Sequence, residues 1–292
     1  MVMATSTDGD AEERVELILR DRWVTYPQGA AALEQLAELL RGARRTRMPS
    51  LLVFGEPDIG KTTVIRKFMR GREHVFYEGS GRKIAEVVAV EAPPVADEAR
   101  LYGAILDAVG APVPRGGIVD LERATYGQLA RLNTRLVVID ETNNLVIGSA
   151  GAQRRTLAAL RRMANQLALS FAFFGTAEAL NAIMSDPQVE GRSQPFRLTR
   201  MTNDADYAAI VRAVVAYLPL QRASPCADEL VQVVHELTAG SPGKTFRLLN
   251  AAAVRAIDTG AEQITTDLLR SAAVVRHIQT ASAMRRGAKA AA

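Results

Sequence analysis

Four short apolar runs punctuate the first two thirds of the chain: LLVF at 51–54, VVAV at 87–90, LVVI at 136–139 and FAFF at 171–174. Each has the length of a buried strand rather than a helix. Gly55, Asp140 and Gly175 directly follow three of them, and Pro93-Pro94 stops the other. The intervening stretches carry apolar residues at helical spacing. Leucines at 33, 36, 39 and 40 mark a helix over 30–40. Residues 62–70 form a second, and Leu101, Ile105 and Leu106 line one side of a third over 97–109. Leu157, Leu160, Ala164 and Leu167 form the stripe of a fourth, over 152–167. Strands alternating with helices predict an α/β domain with a mostly parallel sheet. After about residue 199 the strand signal stops. Residues 205–217, 227–238, 245–256 and 265–276 all read as helices, and SPGK at 241–244 breaks two of them. The expected domains are an N-terminal helical extension over 1–48, an α/β domain over 49–199, a helical domain over 200–278 and a basic tail over 279–292.

Composition adds limits. With 292 residues, 48% hydrophobic and 23% charged, the chain can bury a sizeable core. The single cysteine, Cys226, permits no intrachain disulfide and fits a reducing compartment. His74, His235 and His277 lie far apart and show no metal-ligand spacing. No apolar run approaches the roughly 20 residues of a membrane-spanning helix. The polar, acidic start, MVMATSTDGDAEERVE, does not read as a secretory signal. A cytoplasmic protein without a membrane partner is the expectation. The net charge of +4 is unevenly spread: RGARRTR at 41–47 and RRGAKAAA at the end are basic.

Candidate chemistry begins where the first apolar run ends. Gly55, Gly60, Lys61 and Thr62 in GEPDIGKTT match the spacing G-x-x-x-x-G-K-[ST]. A loop between a strand end and a helix start turns its backbone N–H groups inward, and the helix N-terminus adds partial positive charge. The whole loop, Gly55, Glu56, Pro57, Asp58, Ile59, Gly60, Lys61, Thr62 and Thr63, is expected to cradle phosphate. Lys61 should reach the β and γ phosphates of ATP, and the Thr62 hydroxyl should ligate Mg²⁺. The third apolar run delivers Asp140 and Glu141 to its end. Asp140 can hold the Mg²⁺, and Glu141 can polarise an attacking water. Thr176, at the end of the fourth run, reads either as a sensor of the γ-phosphate or as a cap of the next helix. Arg192, Lys244 and Arg247 read either as charges that approach a nucleotide or as solvated surface charges.

The stretches DRWVTYP at 21–27, RMPSLLVFGEPDIGKTTVIRKF at 47–68, APPVADEARLYGAILDAVGAP at 92–112, RLVVIDETNNL at 135–145, QRRTLAALRRMANQL at 153–167, GTAEALNAIMSDPQVEGR at 175–192 and LPLQRAS at 218–224 resemble the TniB family. These are AAA+ transposition regulators, similar to TnsC and more distantly to MuB. The resemblance runs from about residue 15 to 275. It implies a five-stranded parallel sheet with a C-terminal helical lid. It implies ATP-dependent, head-to-tail assembly on double-stranded DNA as a ring or filament, presentation of that target to a DDE transposase with or without a further targeting factor, and disassembly on hydrolysis. It implies a bacterial, nucleoid-associated protein. On this sequence Lys61 and Thr62 take the phosphate and Mg²⁺ roles, and Asp140 and Glu141 the acidic-strand roles. Thr176 becomes the first sensor, Arg192 a finger acting on a neighbouring subunit, and Lys244 the second sensor. Three positions depart from the family pattern. Asn143 stands where histidine is frequent, Ser193 replaces an aromatic beside Arg192, and Lys244 stands where arginine is common.

The residues themselves also offer basic candidates for DNA. Arg154, Arg155, Arg161 and Arg162 lie off the apolar stripe of their helix, and GSGRK at 79–83 carries Arg82 and Lys83. RGARRTR is a third. Each reads equally as a solvated face. No base-reading module is apparent, so contacts to the DNA backbone are expected. The competing function is an AAA+ ATPase that loads a helicase or remodels proteins.

Overall fold

The computed structural model describes residues 6–20, 22–45, 47–72, 75–77, 82–184 and 190–279. Arg285, Arg286 and Lys289 of the basic tail, and most of the GSGRK loop, lie outside the described residues. The chain divides into two compact units, Gln28–Leu198 and the combination of Met1–Pro27 with Thr199–Ala292.

In chain order the elements of the first unit, with α1 of the other unit preceding them, are α1 (Ser6–Leu19), α2 (Pro27–Arg41), β1 (Ser50–Phe54), α3 (Lys61–Met69), β2 (Val75–Tyr77), β3 (Arg82–Ile84), β4 (Val87–Glu91), α4 (Glu98–Ala108), α5 (Ile118–Arg131), β5 (Leu136–Asp140), α6 (Ala150–Leu167), β6 (Ser170–Gly175), α7 (Ala177–Met184) and β7 (Ser193–Arg197). A 3-10 turn, Thr142–Val146, follows β5. The sheet order is β4-β5-β6-β1-β7, with every neighbouring pair parallel. The expected four strands are there, and β7 is the fifth. The apolar runs become its buried centre: β1, β5 and β6 are buried almost throughout because helices cover both faces. Leu52, Val137, Ile139, Phe171 and Phe173 pack there against Leu101, Ile105, Leu160 and Met163. β7 differs. It lies at an edge, has no fully buried residue, and contains the exposed Pro195. A proline is tolerated there because an edge strand has backbone groups that no ladder needs.

Parallel strands impose a polarity. Helices that connect parallel strands run back antiparallel to them, so their starts gather at the strand carboxyl ends and their C-termini at the opposite edge. Side-chain caps set the starts. Asp97 accepts from the Arg100 N–H at 3.0 Å to open α4, and Ser149 accepts from the Ala152 N–H at 3.2 Å to open α6. Such caps stabilise a helix by about 1 kcal/mol each. Arginines finish the other ends. Arg44 donates to the Asn133 side chain at 2.8 Å and to the carbonyls of Leu167 and Thr134. Arg135 donates to the Gly42 carbonyl at 2.6 Å. Part of the RGARRTR patch therefore holds the fold together.

The other unit contains α8 (Ala205–Tyr217), α9 (Asp228–Thr238), α10 (Pro242–Asp258), α11 (Thr266–Arg270) and α12 (Ala272–Val275). The expected single helix over 265–276 is two, separated at Ser271, whose backbone is extended. Pro242 begins α10 rather than only breaking it, because its missing N–H is not needed at a first helical position. Tyr207, Val211, Val234, Leu248, Leu249 and Ala252 form the core. α1 joins this core through Ile18, and Tyr26 is buried in it with Trp23 alongside. Arg14 grips Glu262 with two bonds of 2.8 and 3.0 Å. That contact keeps the Glu262 carboxyl below its ordinary range.

Candidate functional site

β1 ends at Phe54, and the chain turns through 55–60 into α3. Two glycines make this turn possible. A Cβ on Gly55 would lie 2.6 Å from the Leu198 carbonyl and 3.0 Å from Ile59, so only glycine fits. Gly60 has φ of +97°, a left-handed conformation that glycine adopts without steric cost. Ile59 is buried and anchors the loop from beneath. Lys61, the first residue of α3, folds back and donates to the carbonyls of Gly55 and Glu56, both at 2.9 Å. Burial pushes its ammonium below the ordinary lysine range, while Glu141, Asp140 and Asp58 pull it back up. The charges of three carboxylates thus act on one half-buried cation at the start of α3.

The Thr62 hydroxyl donates to Asp140 Oδ2 at 2.8 Å, joining the end of β5 to the start of α3 across 78 residues of sequence. The other Asp140 oxygen accepts from the Glu141 N–H at 2.9 Å. These hydroxyl and carboxylate oxygens form the kind of hard donor set that Mg²⁺ takes. Glu141 itself has φ of +50°, which is left-handed and costs a non-glycine residue about 1 kcal/mol. That turn redirects the chain into the 3-10 segment. The Thr142 hydroxyl then donates to the Phe174 carbonyl at 2.8 Å. Gly175 leaves the space for it, since a Cβ there would sit 2.3 Å from the Thr142 oxygen.

Asn143 connects two candidates. Its Nδ2 donates to Glu141 Oε2 at 2.7 Å, and its Oδ1 accepts from the Thr176 N–H at 3.1 Å. The Thr176 hydroxyl accepts from the Ala179 N–H at 3.4 Å, so it caps α7 in this structure. β6 lies between β5 and β1 in the sheet, which places Thr176 between Asp140-Glu141 and the loop. Lys61, Thr62, Asp140, Glu141 and Thr176 are therefore gathered at one sheet end.

Arg192 is not among them. It precedes β7, whose first residue is in register with Ser50 at the start of β1. This is the opposite end of the sheet, roughly 16 Å from the loop for a five-residue strand. Its guanidinium donates to Asn165 Oδ1 at 3.0 Å, in the last turn of α6. Lys244 lies in the first turn of α10, within the helical unit. The basic candidates are scattered. Arg155 faces Glu98 at 3.8 Å and Arg162 faces Glu122 at 3.3 Å. Arg161 lines a small hollow with Arg192, Ser50 and Leu157. Arg154 is exposed, Arg82 belongs to β3, and Lys83 donates to the Val109 carbonyl at 2.9 Å. Exposed pairs of this kind are worth little, so the arginines can exchange partners cheaply.

Sequence patterns missed Asn143 as a contact and Thr142 and Gly175 as a packed pair. The only available signal was their position directly after Glu141 and at the end of β6.

The fold has counterparts among solved structures. The ORC2 protein of Aeropyrum pernix, in ADPNP–ADP complexes, is similar with a TM-score of 0.64 and 20% identity, over 92% of this chain and 73% of that one. The ORC1 protein of the same organism, in complex with DNA, gives 0.63 and 20%, over 87% and 67%. Cdc6p of Pyrobaculum aerophilum gives 0.61 and 16%, over 85% and 68%. The chain thus has the AAA+ P-loop ATPase fold, with a five-stranded parallel sheet and a helical C-terminal region. No curated protein sequence matches it. The family model described as Bacterial TniB protein matches residues 14–203, and the chain belongs to that family.

Proposed function

We propose that this member of the TniB family is an ATPase that assembles on double-stranded DNA and regulates transposition. The observation that carries the reading is the meeting of Lys61, Thr62, Asp140 and Glu141 at one sheet end. A triphosphate lying along 55–62 would accept from the loop N–H groups and the N-terminus of α3. Lys61 would exchange its two carbonyl contacts for β and γ phosphate oxygens. Thr62 and Asp140 would hold Mg²⁺, which when bound offsets charge on those oxygens. Glu141 would polarise the attacking water and take its proton as ADP and phosphate form. Thr176 would register the γ-phosphate from the end of β6, and Lys244 would act from the helical unit as the second sensor.

Arg192 has its role at a neighbour's site. A side chain at the far end of the sheet does not reach its own nucleotide, but head-to-tail packing presents it to the next one. The finger would supply positive charge to the transferring phosphoryl group. DNA would be held through its backbone by Arg154, Arg155, Arg161, Arg162 and Lys83, with Arg82 alongside. Modest contacts repeated along an assembly add up. The DNA in the ORC1 complex supports this part of the reading. The ordered assembly would then present the DNA to a DDE transposase, with or without a targeting factor, and hydrolysis would release it.

Electron microscopy of the protein with double-stranded DNA, in ATP, a non-hydrolysable analogue, ADP and no nucleotide, tests the proposal. Rings or filaments that depend on triphosphate are expected. Hydrolysis without a DNA assembly in any state would overturn the transposition reading and favour loading or remodelling.

A further inference from the structure

Glu141 is the residue whose exact placement hydrolysis needs most, and its own backbone is strained. With φ of +50°, its conformation is held by the surroundings. Asp140 accepts the Glu141 N–H, the Asn144 N–H donates to the Glu141 carbonyl at 2.9 Å, and the carboxylate accepts from Asn143 Nδ2 at 2.7 Å. The orientation of the Asn143 amide is fixed by its partners. A carboxylate only accepts and a backbone N–H only donates, so the Nδ2 must face Glu141 and the Oδ1 must face Thr176. The bond to Glu141 uses Oε2 and leaves Oε1 for a water. Gly175 makes the approach possible, because a Cβ there would come within 3.0 Å of the Asn143 oxygen. The amide thereby ties the carboxylate to the end of β6, which carries the Thr176 backbone.

We propose that Asn143 is a positioning residue for Glu141, fastening one carboxylate oxygen to the end of β6 so that the other stays aimed at the attacking water. The inference rests on the reading of Glu141 as the residue that activates water. It adds a neutral amide that touches neither phosphate nor metal and acts through Glu141. It therefore governs turnover and leaves nucleotide binding alone. Asn143 gives the end of β6 a side-chain link to the acidic turn beside the one that the Thr142 hydroxyl makes to the Phe174 carbonyl.

The test is steady-state ATP hydrolysis by the full chain with double-stranded DNA, alongside ATP affinity and thermal melting. Asn143→Asp is the sharpest variant. It keeps an oxygen for the Thr176 N–H and replaces the donor to Glu141 with a second carboxylate oxygen, which repels it. A fall in kcat on the order of 10- to 100-fold is expected, with KM, ATP affinity and melting temperature close to those of the unaltered protein. Asn143→His, whose neutral ring carries one donor and one acceptor, should recover part of the rate. Asn143→Ala, read in the same way, serves if the aspartate variant does not fold. A kcat for Asn143→Asp within about twofold of the unaltered protein would overturn the inference, and so would a matching loss of ATP affinity. Glu141→Gln separates the two levels. If it abolishes turnover while Asn143→Asp does not, the positioning role fails and the role of Glu141 stands. If Glu141→Gln retains turnover, the reading of the site fails and takes the inference with it.

Discussion

The two ends of the parallel sheet are built from the same elements and hold opposite chemistry. At the carboxyl end the helices begin. The backbone is left-handed there at Asp58, Gly60 and Glu141, and the charges of three carboxylates act on Lys61. At the amino end the helices finish. Arg44, Arg135 and Lys83 donate to carbonyls of the loops and helix C-termini, and Arg192 reaches Asn165 in the last turn of α6. Helix polarity explains the division, since N-termini attract anions and C-termini attract cations. In the function proposed above, one sheet would carry both halves of a shared site: one end would take a phosphate chain, and the other would bring Arg192 to the phosphates of a neighbour.

Breaking the first half should have the largest effect. Glu141→Gln keeps the shape of the side chain but removes its negative charge. Turnover should fall by about 10²–10⁴ while ATP affinity survives and DNA assemblies persist, as measured by phosphate release and microscopy. Arg192→Ala should lower turnover by about 10²–10³, and only when subunits are assembled. Mixing it with Glu141→Gln subunits should recover part of the rate, because an intact loop then meets an intact arginine across some interfaces. No recovery at any ratio would show that the two sheet ends do not share a site. Lys61→Ala should weaken ATP binding by about 100-fold in a titration, and triphosphate-dependent assembly should go with it. Unchanged affinity would remove the loop from the site. Arg44→Ala is the smallest change and sharpens the contrast. It should lower stability by about 1 kcal/mol or less, a shift of a few degrees in melting temperature, and leave ATP affinity unaltered.

The sequence announced this contrast unevenly. The prepared end was legible because its chemistry is local: nine consecutive residues make the loop, and an apolar run ending in Asp140-Glu141 needs nothing distant to be noticed. Four strands were legible for the same reason, being buried on both faces. β7 was not, because an edge strand needs no apolar run and tolerates Pro195. α5 was also missed. Gly116 and Gly117 precede it, and its buried positions are only Thr125 and Leu129, too few for a clear stripe. α1 is acidic and weakly patterned, and it joins the helical unit through Ile18 and through Arg14 meeting Glu262, 248 residues away. The Asn143 contacts were hidden differently. The residue was visible as a departure from the family pattern, but its bridge to Thr176 spans 33 residues and exists only once β5 and β6 lie side by side.

Pro195 has a consequence of its own. An open sheet edge is a template on which any extended chain can add itself, and such growth has no natural end. In β7 the exposed Pro195 offers no N–H to a newcomer, so the row of donors is interrupted in the middle of a five-residue strand. For a protein whose proposed work is to gather copies of itself and then let them go, this matters. Growth by strand addition would be irreversible and blind to nucleotide. By spoiling that edge, one ring-shaped side chain leaves reversible contacts as the easier way for copies to meet.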